Sequence, residues 1–192
     1  MRKLFALLTV CIMTFAALTG CGMKFSEPSV DMSSFTVCGE EKFISALETV
    51  GIPKDKLKIH RDYAFKFADE ETEYAYEYCL EATADNENYF CYVRCPDDAT
   101  AKSLFEHFYA KYKDVWSTKG FWGAHSDNLT DKDGYVLISG RLSENDGKTY
   151  IAYHDALYFK DKTVILMMAS DYRSDIERQI DNLCKEIGCQ NP

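Results

Sequence analysis

The chain lacks the short motifs by which many enzymes and metalloproteins are recognised. It has no P-loop, no Gly-x-Gly-x-x-Gly dinucleotide motif, no Gly-x-Ser-x-Gly elbow and no His-Glu-x-x-His zinc motif. It also has no Cys-x-x-Cys pair, so a common structural zinc site is not expected. Because nothing in the sequence indicates a known reaction, we expect no cofactor and favour a non-enzymatic function.

Positive charge is also scarce. The chain has 22 Lys and Arg residues against 31 Asp and Glu residues, which gives a net charge of −9. An acidic surface gains nothing from a phosphate backbone, so a nucleic acid is not expected as a partner. It would also be repelled by anionic lipid, so attachment to a membrane would need another cause.

The first 21 residues have the three parts of an export signal. Met1 to Lys3 form a basic start, residues 4–17 are almost entirely apolar, and small residues precede Cys21. The apolar run of about 14 residues is short for a membrane span, which needs about 20. Cleavage is therefore favoured over an uncleaved N-terminal anchor.

The ending Leu18-Thr19-Gly20-Cys21 resembles the lipobox of bacterial lipoproteins. The resemblance implies that Cys21 carries a thioether-linked diacylglycerol and becomes the mature N-terminus. Two acyl chains hold a protein stably on a membrane. We therefore expect a lipid-anchored, extracytoplasmic protein of the cell membrane or outer membrane, with a mature charge of about −11 after Arg2 and Lys3 are removed.

The expected organisation has three parts. Residues 1–20 are the signal peptide, and residues 21–37 are the lipidated N-terminus with a serine-containing tether. Residues 38–192 are a single α+β domain, whose size of about 155 residues suits one hydrophobic core or two small halves.

The cysteines of the expected domain predict disulfides. Six remain once Cys11 leaves with the leader and Cys21 takes the lipid, and an even number in an exported protein favours pairing. Their pairing stays open. Cys91 and Cys95, if both lie on one strand, would be about 13 Å apart and could not pair with each other. Reduced, buried thiols are the alternative. The six are Cys38, Cys79, Cys91, Cys95, Cys184 and Cys189.

The first half of the domain is predicted to form a helix and three strands. Apolar residues at helical spacing indicate a helix over 40–50, which Gly51 and Pro53 end. Strands are expected at 61–67, 73–82 and 89–94. The second alternates, with tyrosines and Leu80 on one face; its other face, which holds Glu73, Glu77, Cys79 and Glu81, is expected to be solvated.

The second half is predicted to form two helices with four strands between them. Asp97 or Asp98 caps a long helix. The strands are expected at 135–140, 149–153, 156–159 and 164–169, and the last, apolar throughout, is expected to be central and covered on both faces. A last helix over about 172–187 ends at Gly188. A capping box formed by Ser174 and Glu177 would start it slightly late.

The resulting order is α-βββ-α-ββββ-α. Strands in hairpin runs indicate an α+β fold with antiparallel sheet or sheets. A helix followed by a meander occurs twice, so a tandem pair of such units is an alternative arrangement.

Two groups of polar residues invite comparison with metal sites. Asp131, Asp133 and Gly134 match part of an EF-hand loop, but Leu129 and Gly140 stand where further oxygen ligands are required, so a polar loop is predicted. The four histidines show no i, i+4 spacing and predict no metal site. They are His60, His107, His125 and His154.

These observations favour a lipoprotein domain that binds an unknown protein, peptide or small ligand. Phe121 and Trp122, between two glycines, are the first candidates for a contact loop; the competing interpretation makes them a hydrophobic plug of the core. The alternative function is an envelope hydrolase with a carboxylate or His site, which a histidine bonded to a carboxylate in a pocket would favour. A third is a chaperone, which would show an open apolar groove.

Overall fold

A computed structural model describes residues 38–67, 72–143, 149–171 and 173–192. The predicted signal peptide, Cys21 and most of the tether therefore lie outside the described residues. The order of three helices and seven strands predicted from the sequence is confirmed. The elements are α1 (Glu40–Thr49), β1 (Leu57–Lys66), β2 (Glu73–Thr83), β3 (Tyr89–Arg94), α2 (Asp98–Ser117), β4 (Phe121–Leu129), β5 (Asp133–Ser143), β6 (Tyr150–Lys160), β7 (Thr163–Met168) and α3 (Ser174–Ile187).

All seven strands form one antiparallel sheet in the order β1-β2-β3-β7-β6-β5-β4. The two meanders are joined where β3 pairs with β7, from Tyr89 opposite Met168 to Arg94 opposite Thr163. They are thus halves of one sheet rather than two separate units. The sequence-based prediction that the last strand is central is confirmed.

Helices cover both faces of this sheet. On the face we call the α1/α3 face, Phe43 and Leu47 of α1 and Ile180 of α3 pack on sheet residues such as Tyr92 and Ile165. On the opposite face, called the α2 face, Leu104 and Phe105 of α2 pack on residues that include Leu157 and Val164. Each large apolar side chain that is fully buried contributes about 1.5–3 kcal/mol. Two hydrophobic clusters therefore share one sheet.

The helix ends follow from local sequence in most places. Gly51 and Gly188 take left-handed φ values of +88° and +85° and end α1 and α3. The residue after each glycine donates its N–H to the carbonyl five residues earlier, Ile52 to Leu47 and Cys189 to Cys184, as in a Schellman motif. The Asp97 carboxylate accepts the N–H of Thr100 at 2.7 Å and caps α2.

The capping box predicted for α3 is wrong. The helix does begin late, at Ser174, but the N-cap position is taken by Arg173, without a side-chain hydrogen bond. The Arg173 carbonyl accepts the N–H groups of Ile176 and Glu177, both at 3.0 Å. Ser174 is therefore already inside the first turn and cannot act as the cap.

The strands of the second meander differ from the predicted ones. The ranges 149–153 and 156–159 belong to a single strand, β6, because His154 and Asp155 between them are buried inside it. Strand β4 was not predicted; it is an edge strand with mixed polarity. Phe121 and Trp122 begin β4, so the prediction that they form a loop is wrong.

The outer part of the β1–β2 hairpin curls over the α2 face. Tyr74 and Tyr76 belong to the cluster on that face, whereas Tyr78, at the same parity along β2, belongs to the α1/α3 cluster. Asp62 of β1 lies beside this switch and has a left-handed φ of +51°. We call residues 63–67 with 72–76 the curled hairpin.

The curl overturns one prediction about β2. Beyond Glu77, the odd-numbered positions of the strand face the α2 side of the sheet instead of solvent. Cys79 is completely buried there, and Glu81 is half-buried. The expected solvated face is therefore solvated only in its first half.

Candidate functional site

An apolar pocket of about 280 Å³ lies on the α2 face, beneath the curled hairpin. The hairpin forms one wall and α2 another, while β3 and β7 form the floor. Ligand pockets usually measure about 300–1,000 Å³, so this one is at the small end. Its lining consists of Phe65, Phe67, Glu81, Tyr89, Cys91, Val93, Phe108, Val164, Leu166 and Met168.

Aromatic contacts hold the curled hairpin against α2. The Phe67 ring stacks on His107 with centroids 3.9 Å apart, and meets Phe108 edge-on at 5.5 Å. On the hairpin itself, Phe65 lies 4.9 Å from Tyr76. Aromatic pairs of this kind contribute about 0.5–1.5 kcal/mol each beyond burial. The wall of the pocket is therefore fixed by ring packing.

One polar pair lies at the rim of the pocket. The Tyr89 hydroxyl donates a hydrogen bond to Glu81, and burial, with the negative charge of Glu81, holds the pKa of Tyr89 well above its usual range. The other Glu81 oxygen lies 3.4 Å from His60 Nε2, and Lys58 is directly opposite Glu81 in the strand register. The pocket thus offers an apolar interior with hydrogen-bonding groups at one end.

The cysteines are all free thiols among the described residues, so the expected disulfide is not confirmed. Cys91 in the pocket floor has its sulfur 3.8 Å from that of Cys79, well beyond the disulfide bond length of about 2.05 Å. Cys184 and Cys189 lie near each other at the end of α3, where the Cys189 N–H bonds to the Cys184 carbonyl at 2.7 Å, but their sulfurs are not linked.

These thiols are expected to react slowly with Ellman's reagent in the native protein. Burial raises the pKa of Cys38 to about 11 and those of Cys95 and Cys184 to about 12. At pH 8, a thiol of pKa 12 is ionised in about one molecule in ten thousand, and the thiolate is the reactive form. Unfolding in guanidinium should release all six rapidly. Fast reaction of the native protein, or fewer than six thiols after unfolding, would contradict this.

The other aromatic candidates, Phe121 and Trp122, point to opposite faces of the sheet. Phe121 packs into the α2-face cluster, with its ring 6.4 Å from that of Tyr153. Trp122 is 70% exposed on the α1/α3 face. Phe121 therefore fits the core interpretation, whereas Trp122 is free for contact.

A polar cluster that the sequence did not predict connects β5, β6 and α3. Ser139 Oγ lies 3.0 Å from His154 Nδ1, and Asp181 lies 2.8 Å from His154 Nε2. His154 directly follows the strand predicted at 149–153, whereas in the structure it is buried in the middle of β6. The residues meet through strand register and helix packing, so their spacing in the sequence carries no signal of the contact.

Asp155, the next residue, points to the α2 face and is only 3% exposed. Its carboxylate accepts the Tyr112 hydroxyl at 2.9 Å and the Ala169 N–H at 2.9 Å. Burial raises the pKa of Asp155 to about 6, although these hydrogen bonds oppose the shift. It is thus a buried acid held between α2 and the end of β7.

The predicted polar loop before β5 forms a hydrogen-bonded turn. Asp131 pairs with Lys102 of α2 at 2.7 Å, and Thr130 donates to Asp133 at 2.6 Å. Among the residues that the structure describes, no group of three or more His, Cys, Asp or Glu side chains is placed to hold a metal ion. Within the same residues, no helix is both long and apolar enough to cross a membrane.

No protein-family model matches the chain, and no curated protein matches its sequence. A solved structure, the extracellular domain of PknH from Mycobacterium tuberculosis, aligns over 79% of this chain and 92% of its own length. The sequence identity is 7% and the TM-score is 0.32. That score is too low for any fold or function to be transferred.

Proposed function

We propose that this protein is a lipid-anchored, extracytoplasmic binding protein whose pocket takes one small apolar group. The observation that carries the proposal is the cavity of about 280 Å³ between the curled hairpin, α2 and the sheet. A well-packed interior leaves few voids larger than a water molecule, and this one has the volume of about nine waters. An aromatic ring or a short acyl chain is of that size.

The lining supports an apolar ligand with a hydrogen-bonding end. Phe65, Val93 and Leu166 offer hydrocarbon surface, while Glu81 and Tyr89 lie together at the rim. Since Glu81 is accompanied by His60 and Lys58, the rim carries both signs of charge. The pocket therefore suits a neutral amphipathic molecule better than a strongly charged one.

The neutral dye N-phenyl-1-naphthylamine is expected to bind the full-length protein with a rise in fluorescence. Val93→Phe should weaken this binding at least about tenfold, because the added ring occupies the cavity that Val93 lines. A fluorescence titration measures both affinities. Circular dichroism and thermal melting would check that the variant is folded.

The matched control is Trp122→Ala, which removes an exposed aromatic ring from the opposite face. It should leave dye binding unchanged. Binding lost in Trp122→Ala and kept in Val93→Phe would reject the pocket and favour the exposed tryptophan as the contact.

The anchor gives a separate prediction. The membrane form should have an intact mass that includes a diacylglyceryl group and begins at Cys21, as the lipobox resemblance implies. Cys21→Ser should abolish the lipid mass and release the protein from the membrane fraction, because two acyl chains supply stable binding. An unmodified Cys21 in the membrane form would refute lipidation, whatever the outcome at the pocket.

The other two candidate functions fit the pocket less well. A chaperone would need a groove for an extended segment, whereas a cavity of about 280 Å³ has room for one small molecule. A hydrolase with a pair of carboxylates would need two in the cavity, whereas Glu81 is the one carboxylate among the described residues that line it. The histidine that is bonded to a carboxylate lies on the other face of the sheet.

A further inference from the structure

A second polar site lies on the α1/α3 face, across the sheet from the pocket. Ser139 of β5 and His154 of β6 are directly opposite each other in the strand register, 3.0 Å apart from hydroxyl oxygen to Nδ1. Asp181 of α3 contacts the other ring nitrogen at 2.8 Å and also accepts the Asn191 side-chain amide at 3.0 Å. The imidazole therefore bridges a hydroxyl and a carboxylate.

The chemistry of the partners sets the direction of these hydrogen bonds. A carboxylate only accepts, so in the neutral imidazole Nε2 carries the proton and donates it to Asp181. Nδ1 then presents its lone pair, and the Ser139 hydroxyl donates to it. A hydroxyl bonded to a base that a third group orients is the arrangement that activates a nucleophile. In the serine-protease triad, Nε2 faces the serine and Nδ1 faces the aspartate. Here the two nitrogens have the opposite partners, but the proton passes from serine to histidine in the same way.

Solvent can reach the serine. Ser139 is half-buried, and the residue opposite it on the edge strand is the small, exposed Ala124. His154 is only 6% exposed, so the base is more shielded from solvent than the half-buried serine. A nucleophile must be reached by its substrate, whereas the base that activates it can be buried behind it.

A rim of larger side chains stands on the same face, next to Ser139 along the strands. Trp122 is directly opposite Arg141 in the register, and the Arg141 guanidinium lies 5.1 Å from the Tyr150 ring centre. In the described part of the chain, no carboxylate lies within ion-pair distance of Arg141. Arg141 thus places a positive charge beside the serine in a protein that is acidic overall.

We propose that this cluster is an esterase-type site for carboxylic esters that carry a negative charge. Ser139 Oγ would attack the ester carbonyl while its proton passes to His154 Nδ1. The ester C–O bond then breaks, and the leaving alcohol takes the proton from His154. Water attacks the acyl-serine by the same route, which releases the acid and restores Ser139. Asp181 is a positioning residue, and Arg141 attracts the anionic group of the substrate.

A fluorophosphonate probe applied to the full-length protein tests the nucleophile. The Ser139 oxygen should bond to phosphorus with loss of fluoride, and tandem mass spectrometry should place one adduct on Ser139. Ser139→Ala should show no adduct. Asp181→Asn should also prevent labelling, because its amide donates to Nε2 and moves the ring proton to Nδ1; Asp181→Glu should restore labelling in part.

Hydrolysis of p-nitrophenyl hemisuccinate and p-nitrophenyl acetate tests the substrate class. The wild-type rate should exceed that of Ser139→Ala by about 10²-fold, the lower range for general-base catalysis, and the anionic ester should be preferred. Arg141→Gln should remove the preference, whereas Lys113→Gln, on the exposed side of α2 across the sheet, should keep it. Labelling of another serine, or wild-type rates equal to those of a folded Ser139→Ala, would overturn the proposal. Neither result bears on dye binding in the pocket.

Discussion

Gly140→Ala is expected to destabilise the domain by about 3 kcal/mol, the upper end of the usual range for overpacking. A Cβ atom at this position would lie 2.5 Å from the Trp122 carbonyl oxygen and 2.7 Å from the Gly123 Cα. Both atoms belong to the backbone of β4, so no side-chain rotation can relieve the contact. The strand itself would have to move away from β5.

The structure shows why two glycines face each other at this point. Gly123 and Gly140 are directly opposite in the register, and the Phe121 ring lies over both, 3.0 Å from where a Cβ of either residue would stand. An aromatic ring that covers a glycine in an edge strand is a known way to stabilise the edge. A methyl group would displace this ring from the α2-face cluster as well.

Urea unfolding followed by circular dichroism measures the loss. Gly39→Ala is the matched control, because a Cβ there meets nothing within 4 Å and the φ angle of −67° suits alanine. It should cost under about 1 kcal/mol, since Gly39 is an N-cap without a side-chain bond. Equal stabilities of the two variants would show that β4 is not packed as described.

Asp155→Asn is expected to remove about 3 kcal/mol of pH dependence from the stability of the domain. Burial raises the pKa of Asp155 from 3.8 to about 6 in the folded state. Between these values the folded protein holds a proton that the unfolded chain has lost, so its stability falls as the pH rises. Each pKa unit corresponds to about 1.4 kcal/mol, and the loss is complete above about pH 7.

The asparagine side chain should keep the local hydrogen bonds. Its carbonyl oxygen can accept the Ala169 N–H, and its amide can donate to the Tyr112 hydroxyl, whose oxygen also accepts. The variant should therefore gain stability relative to the wild type as the pH rises from 4 to 7. Exposed Asp55, replaced in the same way, serves as the control.

The unfolding free energies of the wild type and of Asp155→Asn, measured at several pH values between 4 and 7, test this prediction. Parallel curves for the wild type and Asp155→Asn would show that the buried carboxyl does not titrate in this range. A difference between the two curves that grows as the pH rises from 4, and levels off by pH 7, is the expected result.

Local patterns predicted most of the secondary structure. The alternation of tyrosines in β2, the apolar run of β7 and the glycines that end α1 and α3 are properties of a few neighbouring residues. The strand β4 was missed because its exposed face mixes Trp122, Ala124 and Asn128, which gives no alternation. The consecutive polar residues His154 and Asp155 favour a break between two strands. In the structure they are buried within β6, because their hydrogen-bonding partners come from other elements.

The candidate sites could not be predicted in the same way. The pocket exists because the β1–β2 hairpin curls beside Asp62, and a left-handed φ at a non-glycine residue is not encoded in hydrophobic periodicity. The contact between Ser139 and His154 depends on the exact pairing of β5 with β6, and Asp181 arrives from a helix 27 residues further along the chain. Lipidation of Cys21 remains a prediction from the leader alone.

The two edges of the sheet differ in how they are guarded against intermolecular pairing. The β1 edge carries Lys58, Arg61 and Lys66, and the kink at Asp62 interrupts its flatness. The nine-residue β4 edge, from Phe121 to Leu129, contains no lysine, arginine or proline, and its one carboxylate, Asp127, is bound by the Tyr109 hydroxyl at 2.8 Å. Charged or kinked edges discourage strand addition, and plain edges invite it. If the proposed anchor concentrates copies of the protein on a membrane surface, intermolecular strand pairing would start at β4. A single lysine substituted into that strand should reduce such pairing.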